Sequence, residues 1–197
     1  MGAQRYAEIE RETNETRIKV RLRLDGSGQY DIRTGVNFLD HMLAQVSRHG
    51  FFDVEIEARG DLEVDCHHTA EDIGIALGQA FSEALGDKEG ISRYGSAFAP
   101  MDEALALCAL DFSGRPYLSF DCNFTTPRLG DLDAETVEEF FRAFSVRGGC
   151  AIHIKVLSGK NNHHIAEAVF KAFAQSCGAA ASRDLRVRGA RSTKGSL

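Results

Sequence analysis

No apolar run in the 197 residues approaches the ~20 needed to cross a bilayer, so no membrane partner is expected. The cysteines offer no C-x-x-C pair. Cys66, Cys108, Cys122, Cys150 and Cys177 are odd in number and widely scattered, which fits buried thiols in a reducing cytoplasm better than a disulfide frame. At the N-terminus, Met-Gly-Ala-Gln-Arg-Tyr-Ala-Glu lacks the apolar stretch of a secretory signal. Basic surplus is missing too. Lys and Arg total 23 against 29 Asp and Glu, a net charge of −6, and no basic run is interleaved with aromatics. A nucleic-acid partner is therefore not expected. What is left is a cytoplasmic chain, 43% hydrophobic, long enough to bury a core as one large domain or two small halves.

One five-residue pattern occurs twice. His67-His68-Thr69-Ala70-Glu71 and His163-His164-Ile165-Ala166-Glu167 match position for position at a spacing of 96. Each opens a stretch with helical apolar spacing: Ile73, Leu77, Ala80 and Phe81, then Ile165, Val169, Phe170 and Phe173. A His and a Glu three or four positions apart share a helix face and can converge on one cation. The neighbouring His points about 100° away, toward a second cation or a partner across an interface. A lone copy would read as polar residues at a helix start, but two copies at one spacing read as a metal site.

Around these pairs the chain repeats itself. Residues 16–24 alternate as a half-buried strand, Asp25-Gly26-Ser27-Gly28 turns, and residues 29–33 return as a second strand. A helix is predicted over 36–47, with Asn37 as its cap, then a strand over 51–58 and the first His-His helix, ending at Gly86. The order β-β-α-β-α then recurs: strands over 104–111 and 117–122, a loop over 124–134, a helix over 136–146, a strand over 151–157 and the second His-His helix over 162–177. Leu24-Asp25…Ser27-Gly28 and Leu110-Asp111…Ser113-Gly114 stand 86 apart. The reading is an α+β fold, a two-layer α/β sandwich made by internal duplication, with mainly antiparallel sheets and helices on one face of each. Residues 1–95 form the first half-repeat. Residues 96–197 form the second, ending in a basic tail, and the two act as one compact unit. The strand from 104 is apolar on both faces, which predicts a more buried hairpin at the junction of the halves.

The repeat extends the site. His41 sits among apolar Phe38, Leu39, Met42 and Leu43, and an offset of 98 makes Glu139 its counterpart. For Glu139 a solvated helix residue is an equal alternative; His49, His153 and Cys66 read as structural. His41, His67, His68, His163 and His164 with Glu71, Glu167 and Glu139 suffice for two ions in nitrogen and oxygen shells. Mn²⁺, Fe²⁺, Zn²⁺ and Co²⁺ all suit them, and Mg²⁺ is disfavoured by so much nitrogen. Without thiolates the set reads as catalytic. Two readings to weigh are a binuclear metallohydrolase, against which no Asp-rich phosphohydrolase frame is present, and a scaffold whose histidines bridge subunits through structural metal.

Phe38-Leu39-Asp40-His41-Met42, His67-His68-Thr69-Ala70-Glu71-Asp72, His163-His164…Glu167-Ala168…Phe170-Lys171-Ala172 and Ser192-Thr193-Lys194-Gly195 together resemble the imidazoleglycerol-phosphate dehydratase family. The likeness extends through Arg11-Glu12-Thr13…Glu15-Thr16, Pro100-Met101-Asp102-Glu103 and Asp111…Ser113-Gly114-Arg115-Pro116-Tyr117. It implies a hydro-lyase of histidine biosynthesis that converts imidazole glycerol phosphate to imidazole acetol phosphate. The implied route passes through a ring imidazolate that expels the side-chain hydroxyl, giving a diazafulvene-like intermediate. It also implies two Mn²⁺ per site, and trimers assembled into a 24-subunit shell with active sites between subunits. One grouping it suggests is His41, His68, Glu71 and His164 on one ion, with His67, His163, Glu167 and residue 139 on the other. Glu139 departs from the histidine common there. The resemblance gives Glu15 the second proton transfer, with Gln45 and Asp102 as further polar groups. It gives the substrate phosphate to Arg93, Arg115, Lys171, Ser192 and Lys194, with the tail ordering over ligand.

Overall fold

The computed structural model describes residues 5–195; the last two residues of the basic tail lie outside them. The first half runs β1 (Tyr6–Glu12), β2 (Thr16–Arg23), β3 (Tyr30–Arg33), α1 (Asn37–Gly50), β4 (Asp53–Gly60) and α2 (His67–Leu85). The second runs β5 (Tyr94–Met101), β6 (Ala104–Asp111), β7 (Tyr117–Asp121), the short pair β8 (Arg128–Leu129) and β9 (Leu132–Asp133), α3 (Thr136–Gly148), β10 (Ala151–Ser158) and α4 (Asn162–Ala181). The sheets are β1-β2-β4-β3 and β5-β6-β10-β7, antiparallel except where β3 joins β4 and β7 joins β10. The duplicated α+β form is as expected, with one strand more at the start of each half.

Each added strand has a reason to be hard to read. β1 alternates correctly, with Ala7 and Ile9 buried, but its other positions are mostly charged. β5 is Gly- and Ala-rich because α4 presses on it: a Cβ on Gly95 would meet the Ser176 carbonyl oxygen at 1.9 Å. The predicted hairpins are also corrected. Strands β2 and β3 do not pair; β4 enters between them, antiparallel to one and parallel to the other. Asp53, at the start of β4, accepts the Ser27 and Gln29 amides at 2.8 and 3.1 Å and so bends the 25–28 segment across the strand end. Strand registers set Arg23 against Asp53 and Asp111 against Ala151. β2 and β6 thus correspond with Leu22 on Leu110, two residues out of step with the matching tetrads.

Between the two sheets lie the four helices, α2 over β1 and β2, α4 over β5 and β6. Across the middle α2 packs on α3 and α1 on α4. The junction of the halves is therefore helical, and not the apolar strand β6, whose outward Leu105 and Leu107 are half-buried on the far face of its sheet. The α2–α3 seam is tight. Cβ atoms on Gly74 and Gly78 would stand 2.5 and 2.6 Å from the carbonyl oxygens of Phe140 and Phe144. Rings fill the centre: Phe81 meets Phe52 and Phe144 edge-on at 5.0 and 5.2 Å, and Phe141 meets Phe173 at 5.0 Å. The five cysteines are free, four buried and Cys122 half-buried. Among the described residues no helix is long and apolar enough to cross a membrane.

Candidate active site

Both His-His pairs stand where a helix leaves the core. At α4, Asn161 caps the helix, its side chain accepting the amides of His163 and His164 at 2.9 and 3.4 Å. At α2 the cap position holds Cys66, and Asp65 accepts the His67 amide at 2.8 Å. On α1 the expected cap, Asn37, is instead the first helical residue, with Val36 at the cap position, and the helix start is capped from outside: the Asp131 carboxylate accepts the Asn37 amide at 2.7 Å and that of Phe38 at 2.8 Å.

Around α4 the donors converge. His41 Nε2 is 2.6 Å from Glu167 Oε1, and His163 Nε2 is 3.3 Å from the same oxygen. One ligand atom from each of the three lies within 4.8 Å of the others. Lys171 Nζ donates to Glu167 Oε2 at 2.5 Å. Burial acts to raise the Glu167 pKa, but the bonds from Lys171 and His41 outweigh it and hold the carboxyl at about 2. Glu167 is thus an ionised oxygen donor between two imidazoles, a set that suits a divalent ion of intermediate hardness such as Mn²⁺.

The corresponding donors at α2 are spread. His67 Nε2 is 3.8 Å from Glu71, and Glu139 is held by Arg142 at 3.3 Å. Among the described residues, the cluster around His41 is the one that brings three donors together. The second histidine of each pair is gripped through Nδ1, His68 by Asp61 at 3.0 Å and His164 by Glu103 at 2.8 Å. These bonds raise both histidine pKa values. Glu103 is drawn down to about 2, by the Asn161 amide first and His164 next.

The remaining predicted residues fall into two places. Glu15 has its carboxylate 3.8 Å from His68 Nδ1, with the side chain 54% exposed. Gln45 lies one turn beyond His41 and meets His49 at 3.1 Å. Asp102 reaches within 3.7 Å of His164 Nε2. Arg93, Arg115, Ser192 and Lys194 instead line an open pocket with Tyr94, Arg191 and Thr193. Arg93, 6% exposed, holds Asp111 at 2.7 and 3.0 Å and the Arg191 carbonyl at 2.7 Å, so it anchors the tail as well as lining the pocket. Lys171 is absent from this lining and belongs with Glu167. His153 stands on the outer face of its sheet, 5.4 Å from the Tyr117 ring.

Sequence reasoning missed Asp61, placed Arg191 and Thr193 only within the tail and not in the pocket they line, and gave Glu103 no function. It also read 124–134 as plain loop. The segment carries the β8–β9 hairpin, which ties three helix starts together: Asp131 to α1, the Asp133 amide to Cys66 Sγ at 3.3 Å, and Thr125 to Asn162 at 3.0 Å. No local signal marks it, because each partner is distant in the chain.

Comparison with known proteins bears on this geometry. A sequence model described as imidazoleglycerol-phosphate dehydratase matches residues 34–177. The imidazoleglycerol-phosphate dehydratase of Clostridium botulinum (strain Okra / Type B1) is 56% identical over 191 residues, 97% of each chain. Among solved structures, that of the Staphylococcus aureus enzyme of this name superposes with a TM-score of 0.82 at 40% identity, over 91% of this chain and 99% of its own. The Pyrococcus furiosus structure, in complex with (S)-C348, gives 0.83 at 38% identity, over 96% and 100%.

Proposed function

The chain belongs to the imidazoleglycerol-phosphate dehydratase family and is an enzyme, and we propose that it removes water from imidazole glycerol phosphate to give imidazole acetol phosphate in histidine biosynthesis. In this reading it works in the cytoplasm with two Mn²⁺ per site. The carrying observation is the nitrogen and oxygen cluster of His41, His163 and Glu167 on a chain that also presents a cationic pocket. Three donors leave a divalent ion under-coordinated. His67, His68, Glu71 and Glu139 on one copy, facing His41, His163, His164 and Glu167 on another, would complete two shells. That division agrees with the grouping of His41, His68, Glu71 and His164 on one ion, and it makes a homo-oligomer a requirement of catalysis; the assembly proposed is of trimers in a 24-mer.

Metal bound there supplies Lewis acidity to the ring nitrogen and the departing hydroxyl, worth several kcal/mol. The rest falls to side chains. Arg115, Ser192 and Lys194, with Arg93 beneath, hold the phosphate through charged forks and fixed donors. The hydroxyl leaves the carbon attached to the ring as water, taking the ring N–H proton, and a proton lost from the neighbouring carbon then restores that N–H. Glu15, exposed beside His68, takes that proton, and the enol so formed tautomerises to the ketone. Gln45 and Asp102 orient the side-chain hydroxyls, and Lys171 keeps Glu167 ionised. The test is turnover by metal-stripped protein before and after Mn²⁺, with column elution followed alongside. Activity returning together with a shift to a very large assembly is the expected result. Assembly without turnover would leave a metal-bridged scaffold and sink the reaction.

A further inference from the structure

The strand registers that misalign the tetrads align something else. With Leu22 on Leu110, the β1–β2 turn matches the β5–β6 turn, and Glu15 corresponds to Glu103. Both carboxylates face the second histidine of their own half, yet they treat it differently. Glu103 Oε2 holds His164 Nδ1 at 2.8 Å, while its Oε1 accepts the Asn161 and Lys160 amides at 2.7 and 3.1 Å. Glu15 stands back at 3.8 Å from His68 Nδ1, because Asp61 takes that nitrogen at 3.0 Å. The Asp61 amide also donates to the Glu15 carbonyl at 3.1 Å, so one residue orients the histidine and fixes the turn.

The exchange follows from one position. β4 and β10 correspond with Asp53 on Ala151, which carries Asp61 onto Gly159. A side chain is excluded there: a Cβ on Gly159 would meet Ile165 Cγ1 at 2.5 Å. With no carboxylate at 159, the turn glutamate of that half must reach the histidine itself. With Asp61 in place, the turn glutamate of the first half is released.

We propose that Asp61 and Glu103 are the positioning residues of the metal-binding His68 and His164, and that Asp61 is what frees Glu15 for proton transfer. The proposal rests on the metal reading above. Each carboxylate accepts Nδ1–H, fixes the tautomer and aims Nε2 outward as a ligand, the usual arrangement behind a ligating imidazole, whose loss typically costs ~10–100-fold in metal affinity. The duplicated halves thus meet one need in two ways, orientation falling to Glu103 in one and to Asp61 in the other.

The experiment titrates Mn²⁺ into metal-stripped wild type, Glu103→Gln, Asp61→Ala, Glu15→Gln and His68→Ala, reading free Mn²⁺ by electron paramagnetic resonance. Turnover is then followed against Mn²⁺ concentration, and thermal unfolding of the metal-free proteins checks folding. The amide introduced by Glu103→Gln offers one acceptor oxygen where two are used. Glu103→Gln and Asp61→Ala should therefore weaken Mn²⁺ by ~10–100-fold; Glu103→Gln should regain most of its turnover at saturating metal, whereas Asp61→Ala, which leaves His68 Nδ1 to Glu15, should not. Glu15→Gln should bind Mn²⁺ as wild type does and stay inactive at every concentration. Wild-type affinity in both Glu103→Gln and Asp61→Ala, or loss of affinity in Glu15→Gln equal to theirs, would overturn the proposal while leaving the metal reading intact. Equal Mn²⁺ binding by wild type and His68→Ala would remove the metal reading and the proposal together.

Discussion

At the start of α4, two imidazoles and a carboxylate already meet, with Lys171 neutralising the carboxylate from behind. At the start of α2 the equivalent His67 and Glu71 stay 3.8 Å apart, and Glu139 turns to Arg142. The same sequence pattern has produced one preorganised half-site and one loose one. What separates them is the neighbouring helix: α1 brings His41 to α4, whereas α3 brings a glutamate that finds a closer cation on its own helix. A duplicated motif therefore specifies donors, but their convergence is set by what packs beside them.

The largest test of that contrast uses one ligand from each half-site. If both sets serve the same pair of ions, His163→Ala and His67→Ala should each lower Mn²⁺ affinity and turnover beyond the ~10–100-fold expected for a supporting residue. Titration of Mn²⁺ with parallel kinetics measures this. A silent His67→Ala would mean that the loose half-site is not part of the catalytic centre.

Packing offers a second comparison, between the α2–α3 and α1–α4 seams. Cβ atoms on Gly74 and Gly78 would stand 2.5 and 2.6 Å from carbonyl oxygens, while one on Gly178 would meet the Gly50 carbonyl oxygen at 3.0 Å. Gly78→Ala should cost about 1–3 kcal/mol as the helices are pushed apart, and Gly178→Ala less, both read from denaturant unfolding. Equal costs would say that both seams yield alike.

Much of this was legible in the residues. Helical spacing after each His-His pair placed α2 and α4, and an offset of 98 led from His41 to Glu139. The limits were equally physical. β5 is poor in strand-forming side chains because α4 leaves no room for them, so nothing local announces it. The tetrads gave a false register, since turn residues recur wherever a chain turns, and that shift hid the match of Glu15 with Glu103. Asp61 and Asp131 act on partners that only the fold brings near.

A third comparison concerns the carboxylates without metal. Glu167 is 6% exposed and neutralises Lys171, whereas Glu71 is half-exposed with one distant partner. Glu167→Gln should destabilise the metal-free protein by ~1–3 kcal/mol, because the half-buried Lys171 is left without its counter-charge. Glu71→Gln should fall within about 0.5 kcal/mol of wild type. Denaturant midpoints compare them directly, and equal losses would erase the distinction between the half-sites.

Acid sharpens the same contrast at smaller amplitude. The folded pKa of Glu167 is depressed, to about 2 from an ordinary 4.5. A depressed carboxylate binds fewer protons folded than unfolded, so its stabilisation is complete above the unfolded pKa and is lost as pH falls through the folded one. The gap in stability between metal-free wild type and Glu167→Gln should therefore be widest above pH 4.5 and should close as pH falls toward 2. Chemical unfolding at a series of pH values checks it. A wild-type and Glu167→Gln gap that persists undiminished to the acid end would show that the substitution acts through shape, and that charge is not what holds the half-site at α4 together.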